Sequence, residues 1–189
     1  MIPGLSLFLD VIDAEDESTI IQELDQHEWS KSLKRRTQHY GYYYDYTNGS
    51  TNRKAPEFPQ SVKWIAKFIE ENQIMDAPEL NHLAKAPEQC IVNEYYRNQG
   101  IGKHIDSPKF GPVIVSLSLG ADTNFIFRGE GKSVVVEVPR RSLMVLRGEA
   151  RSKYTHEIPC KTTMEWKGQM VEKSGDYRRV SLTFRTMNK

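Results

Sequence analysis

The sequence predicts an α+β fold in which a double-stranded β-helix, a jelly-roll barrel of short strands, is supported by N-terminal helices. Three observations carry this expectation. Two stretches in the first seventy-odd residues repeat apolar side chains at helical spacing; from Cys90 onward the texture changes to short β-forming runs; and Gly and Pro punctuate those runs. At 189 residues, 38% hydrophobic and 27% charged, the chain suits one core. The expectation is a single domain over 1–189, with 1–89 supplying the helical support and 90–189 the barrel.

The elements follow in order. Residues 15–29 predict a helix, with Ile20, Ile21 and Leu24 as its apolar stripe and acids enriched in the first turn. A second helix is expected from about Pro59 to Glu71, where Val62, Ile65, Phe68 and Ile69 recur at helical spacing and Pro59 suits the first turn. Strands are expected over Ile91–Tyr96, Val113–Leu119, Phe125–Phe127, Ser133–Val138, Ser142–Leu146 and Arg179–Arg185. There is no internal repeat, heptad or low-complexity segment. No apolar run approaches the roughly eighteen residues of a membrane helix, and the N-terminus lacks the basic start and apolar stretch of a signal peptide. A monomer in the cytoplasm or nucleus with no membrane partner is expected, and Cys90 and Cys160 are expected to be free thiols.

The net charge of +1 hides an asymmetry. Residues 1–30 carry eight acids and no Lys or Arg, whereas residues 139–189 carry twelve Lys plus Arg against five Asp plus Glu. A basic C-terminal half suits phosphate binding, and equally suits a solvated strand surface.

The chemistry lies in an ordered set. His104 and Asp106 are two apart on an extended segment and point the same way; His156 follows fifty residues on. Two imidazoles and one carboxylate on one face of a metal leave three coordination positions open, the arrangement by which non-haem Fe(II) oxygenases hold a co-substrate and dioxygen together. Zinc is the competing metal. The spacing Arg-x5-Arg occurs twice. Between Arg141 and Arg147 lies an apolar run that reads as a buried strand, whereas Arg179, Ser181, Thr183 and Arg185 share one strand face and Val180, Leu182 and Phe184 the other. The first of those two faces is suited to receive an anion.

His104-x-Asp106, His156, Arg179-x5-Arg185 and the upstream Asn93-x-Tyr95 resemble the motif set of the AlkB family of Fe(II)/2-oxoglutarate dioxygenases. Val115-Ser116-Leu117-Ser118-Leu119-Gly120, Pro139-Arg140-Arg141-Ser142-Leu143, Arg147-Gly148-Glu149-Ala150-Arg151 and Arg35-Arg36-Thr37-Gln38-His39-Tyr40-Gly41-Tyr42 are similar to segments of the members with a tRNA wobble-uridine hydroxylase domain. The resemblance implies the same jelly roll, Fe(II) held by His104, Asp106 and His156, and 2-oxoglutarate and dioxygen as co-substrates. It implies that Asn93 and Arg185 lie nearer the metal end of the co-substrate, with Arg185 also steadying Asp106. Arg179 then takes the distal carboxylate, for which a guanidinium fork is matched, Tyr95 adds a hydrogen bond, and Ser181 and Thr183 line the wall between.

Substrate recognition is expected from 1–89, acting as a nucleotide-recognition lid. Arg35, Arg36 and His39 precede the alternating Tyr40, Tyr42, Tyr44 and Tyr46, with a turn signal at Asn48-Gly49. Aromatics on one strand face can stack on an extruded base while arginines hold its phosphates; the same tyrosines packed into a core are the alternative. Two residues after Asp106, where the DNA-repairing bacterial member has an acid that contacts the damaged base, this chain has Pro108, which leaves the target base open. The expected activity is oxidative demethylation or hydroxylation of a modified or alkylated base in DNA or RNA. The same chemistry on a protein or small molecule, and a non-catalytic nucleic-acid binding module, are the alternatives.

Overall fold

The computed structural model describes residues 2–44, 49, 53–72 and 86–188. Its strands are β1 (Leu5–Phe8), β2 (Arg36–Tyr40), β3 (Gln89–Tyr96), β4 (Ile101–His104), β5 (Phe110–Leu119), β6 (Thr123–Gly129), β7 (Lys132–Val138), β8 (Ser142–Leu146), β9 (Thr155–Ile158), β10 (Thr163–Trp166), β11 (Gln169–Glu172) and β12 (Arg178–Met187). The helices are α1 (Ala14–Gln26), α2 (Trp64–Glu71) and α3 (Gly148–Ser152), and a 3-10 turn at Gln60–Val62 leads into α2. A six-stranded sheet in the order β1-β8-β5-β12-β3-β2 faces a four-stranded sheet, β4-β9-β6-β7, and β10 and β11 form a separate hairpin. This is the expected double-stranded β-helix.

Alternation along the central strands divides the larger sheet into two chemically different faces. Cys90 and Val92 of β3, Val115, Leu117 and Leu119 of β5, and Val180, Leu182 and Phe184 of β12 pack outward against Ile20 and Leu24 of α1 and Ile65 and Ile69 of α2. The inner face meets the smaller sheet through a second apolar cluster that includes Tyr95, Ile114, Phe125, Phe127, Met144 and Leu146. Between the two clusters, the register sets Ser181 beside Asn93 on one side and Ser118 on the other, and Thr183 beside Ile91 and Ser116. A polar stripe therefore runs down the inside of the barrel.

The helices are fixed by charge as well as by apolar contact. Asp13 caps α1, its carboxylate accepting from the Asp16 N–H at 2.8 Å, and Glu15, Asp16 and Glu17 oppose the positive end of the helix dipole. Glu17 is buried and accepts from the Gly120 N–H at 2.7 Å and from the Arg140 guanidinium, tying α1 to the turns at the ends of β5 and β7. Glu17→Ala leaves the half-buried Gly120 donor and the Arg140 guanidinium without their acceptor and should cost about 2 kcal/mol, read as a lowered urea midpoint. An unchanged midpoint would show the latch to be idle.

Two expectations about the first ninety residues change. The stretch contributes not only helices but also β1 and β2, the two edge strands of the larger sheet. The alternating tyrosines do not lie on one strand, because β2 ends at Tyr40 and Gly41 follows at φ +75°, where a Cβ would stand 2.0 Å from the Glu88 carbonyl oxygen. Tyr46 and Asn48 lie outside the described residues.

Candidate functional site

β4 and β9 pair antiparallel with His104 directly opposite His156, and their ring centroids are 4.4 Å apart. Asp106 lies two residues past the end of β4, and one ligand atom from each of the three side chains falls within 4.8 Å of the others. Nδ1 of His104 lies 2.8 Å from the Gly102 carbonyl oxygen, which leaves Nε2 to turn a lone pair toward the cluster. His156 is buried between His104 and the rings of Phe125 and Phe127. Asp106 divides its oxygens: Oδ1 accepts from Arg185 Nη2 at 2.6 Å, while Oδ2 faces His156 Nε2 at 3.6 Å.

The electrostatics prepare Asp106 and His156 as ligands. Burial lowers the His156 pKa to about 4; Asp106 pulls against this, and His104, Arg185 and Arg151 add to it, so the ring is neutral at neutral pH. Burial pushes the Asp106 carboxyl up, but Arg185, His156, His104 and Arg151 together bring it down to about 2, so it is ionised. Neutral imidazole and ionised carboxylate are the ligand-competent forms. The donor set and its burial fit an Fe(II) ion.

His39 is also held near pKa 4, by burial first and then by Arg185 and Arg53. For both imidazoles the folded value lies below the ordinary 6.5. The unfolded chain therefore binds more protons between those values, and stability is full above about pH 6.5 and drains as pH falls toward 4. Metal-free protein should show a lower urea midpoint at about pH 5 than at about pH 7.5. Equal midpoints would contradict the assigned burial of the two rings.

A cavity of about 50 Å³ adjoins the cluster inside the barrel, lined by Asn93, Tyr95, Ser116, Ser181, Thr183 and Arg185 among others. Arg179 lies beyond it, 1% exposed, its Nε donating to Ser118 Oγ at 3.0 Å and its guanidinium 5.4 and 5.5 Å from the Tyr95 and Phe125 ring centres. Its Nη1 is buried and makes no hydrogen bond among the described residues. Arg185 packs its guanidinium over Phe110 at 4.4 Å. The structure thus brings Asn93, Tyr95, Ser181, Thr183 and Arg185 to one cavity, with Arg179 at its far end. Ser116 and Ser118, not picked as site residues from the sequence, share that wall; their signal was the Ser-Leu-Ser alternation inside an otherwise apolar strand.

A second cavity, about 350 Å³, opens from His104 and Asp106 to the surface and is lined by Arg35, Tyr44, Ile91, Asn93, Ile101, Ile105, Phe110 and Arg185, among others. Pairing decides which candidate residues reach it. Thr37 and His39 of β2 lie opposite Asn93 and Ile91, on the inner face, and Arg35, just before β2, donates its Nε to Asn93 Oδ1 at 2.7 Å. Tyr44 packs on Phe110 at 5.4 Å. Arg36 and Tyr40 lie on the opposite face, which corrects their expected role. Arg36 binds the buried Glu94 with two nitrogens, at 2.5 and 2.7 Å, and stacks on Trp29; Tyr40 is 2% exposed among the helices and hydrogen-bonds Gln38. Tyr42 carries the Lys54 ammonium over its ring at 4.0 Å and is not among the described residues lining either cavity.

A double-stranded β-helix with two imidazoles and a carboxylate at one end of a polar, arginine-closed interior defines a 2-oxoglutarate- and Fe(II)-dependent dioxygenase. The family model of the 2OG-Fe(II) oxygenase superfamily matches residues 14–185, and the chain belongs to that superfamily, in its AlkB branch. It is 34% identical over 168 residues to the tRNA (carboxymethyluridine(34)-5-O)-methyltransferase ALKBH8 of Macaca fascicularis, a match covering 84% of this chain and 24% of that protein. It is 31% identical over 208 residues to the alkylated DNA repair protein ALKBH8 homolog of Arabidopsis thaliana, covering 97% of this chain and 58% of that one. The chain thus spans about a quarter of the first relative and little more than half of the second. In fold it is similar to the structure of OsALKBH1, with a TM-score of 0.73 at 18% identity over 98% of this chain and 97% of that one.

Proposed function

We propose that this dioxygenase oxidises a modified base in nucleic acid, with RNA as the favoured substrate and a base that carries no positive charge as its target. One observation carries the reading. In the cavity that opens from the metal ligands, Asp106 is the sole carboxylate among the described lining residues and is committed to Arg185, whereas Arg35, Tyr44 and Phe110 offer a cation and two adjoining rings. Cationic alkylated adenine or cytosine would meet no free counter-charge among the described lining residues; a neutral or acid-bearing pyrimidine would meet Arg35. The relatives named for tRNA and DNA support nucleic acid as the substrate class.

Within this reading His104, Asp106 and His156 hold the iron, and Arg179 with Tyr95 holds the distal carboxylate of 2-oxoglutarate while Asn93 and Arg185 flank its other end. With iron, 2-oxoglutarate and dioxygen bound, the centre supplies an oxidant for an inert C–H bond as 2-oxoglutarate becomes succinate and carbon dioxide. The chain's own residues orient that chemistry. Arg185 keeps Asp106 ionised and in place, Ile101, Ile105 and Phe110 exclude water from the mouth, and Tyr44 and Arg35 receive the base. A methyl group on nitrogen would leave as formaldehyde after hydroxylation; a carbon bound to carbon would keep its hydroxyl.

The test incubates the protein with Fe(II), labelled 2-oxoglutarate and separate pools of methylated DNA, tRNA and histone, followed by nucleoside mass spectrometry. Succinate release with a mass change in a tRNA pyrimidine is expected. Release stimulated by the histone pool alone would overturn the substrate class.

A further inference from the structure

We propose that Arg151 is a positioning residue for the metal centre, a crosspiece that fixes the loop bearing Asp106 to the segment bearing His156. The inference rests on the reading of His104, Asp106 and His156 as metal ligands. Arg151 sits on α3, five residues before His156 on β9, and is 9% exposed. Its guanidinium donates to four carbonyl oxygens of one short stretch, the β4–β5 connection and the start of β5: Nη1 to Asp106 at 2.9 Å, Nη2 to Ser107 at 2.7 Å and Phe110 at 3.4 Å, and Nε to Gly111 at 3.4 Å.

Two of those carbonyls, of Asp106 and Ser107, belong to the connection between β4 and β5, and the other two to the first residues of β5. A hydroxyl or an amide side chain would reach one or two of them; the guanidinium fork reaches all four. Among the described residues Arg151 forms no salt bridge and gives its hydrogen bonds to backbone carbonyls, while burial lowers its proton affinity against the pull of Asp106. The Asp106 side chain is fixed separately by Arg185, from β12. Arg151 therefore holds the Asp106 backbone, Arg185 holds its carboxylate, and the distance between Asp106 and His156 is set by one five-residue span.

α3 is itself braced. The Ala150 N–H donates to the Pro3 carbonyl at 2.9 Å and the Arg147 N–H to the Gly4 carbonyl at 3.0 Å, so the crosspiece is anchored to the backbone just ahead of β1. This gives a role to the Arg147–Arg151 segment that the chemistry of the ligands alone leaves unexplained.

The experiment titrates Mn(II) into the 189-residue protein in the presence of 2-oxoglutarate by calorimetry, for wild type, Arg151→Met, Arg151→Lys and His104→Ala. Hydrogen exchange of metal-free protein is read in parallel. Arg151→Met should bind Mn(II) about 10- to 100-fold more weakly and lose protection over residues 105–111 while β12 and the rest of β5 stay protected; Arg151→Lys should fall between it and wild type. Wild-type affinity and loop protection in either variant that folds would overturn the proposal, and Arg151→Lys decides it if Arg151→Met does not fold. A wild type that binds no Mn(II), or a His104→Ala that binds it equally well, would instead overturn the ligand reading itself.

Discussion

His104→Ala is expected to cut succinate formation on the order of a thousandfold while leaving the fold intact. The two parts of this expectation come from different features of the residue. His104 is one of the three side chains placed to hold a metal, and its loss would leave one imidazole and one carboxylate, too few to hold Fe(II) against water. Yet it is half-buried at the end of a short strand, and its hydrogen-bond partner is the carbonyl of Gly102 two residues away. Asp106 and His156, by contrast, are buried and charge-coupled to Arg185 and to each other, and substitutions there would confound catalysis with stability. Succinate assayed by mass spectrometry, with an unchanged far-ultraviolet spectrum and urea midpoint, checks both parts. Turnover within tenfold of wild type would remove His104 from the site.

Arg179→Met should weaken 2-oxoglutarate binding by about 100-fold without destabilising the metal-free protein. The guanidinium is fully buried, its nearest partners are a serine hydroxyl and two aromatic rings, and Nη1 has no acceptor among the described residues. Burial lowers its pKa, with Tyr95 and Tyr177 pulling the other way, and no carboxylate of the protein pairs with it among the described residues. Such a charge is costly until an anion arrives, and losing one partner of a buried, hydrogen-bonded ion pair costs about 2–5 kcal/mol of affinity. An apolar side chain of similar length removes both the cost and the anion site. Calorimetry with Mn(II) present should show the weaker binding, and a urea midpoint at or above the wild-type value should accompany it. Undiminished affinity for 2-oxoglutarate would place its distal carboxylate elsewhere.

The parts of this arrangement that were legible in the sequence are those written in strand periodicity. Arg179, Ser181, Thr183 and Arg185 alternate with Val180, Leu182 and Phe184, and β12 sends the first set into the barrel and the second into the helix-facing core, as a period of two requires. The apolar run after Arg141 is β8, buried at all five positions. The helix expected over 15–29 appears as Ala14–Gln26, and the one expected from Pro59 begins as a 3-10 turn before settling into α2.

Where periodicity is short or interrupted, the sequence was less informative. β1, β4 and β9 are four residues each, and β4 carries a register shift between Ile101 and His104, so no window is long enough to show alternation. The tyrosine series reads as a strand, but a single left-handed glycine at position 41 breaks it, so that Tyr40 enters the core while Tyr44 reaches the mouth. Arg151 leaves no periodic trace at all, because its partners are backbone carbonyls forty residues away.

The placement of the three ligands has a consequence for handling the protein. His104 and His156 belong to the four-stranded sheet, while Asp106 is moored to β12 of the six-stranded one through Arg185. A bound ion is thus a rivet between two layers that otherwise meet mainly through apolar contact. At a hundred times its dissociation constant such a rivet adds about 2.7 kcal/mol to the folded state. Chelating buffers would spring it, and proteolytic nicking should then begin in the smaller sheet.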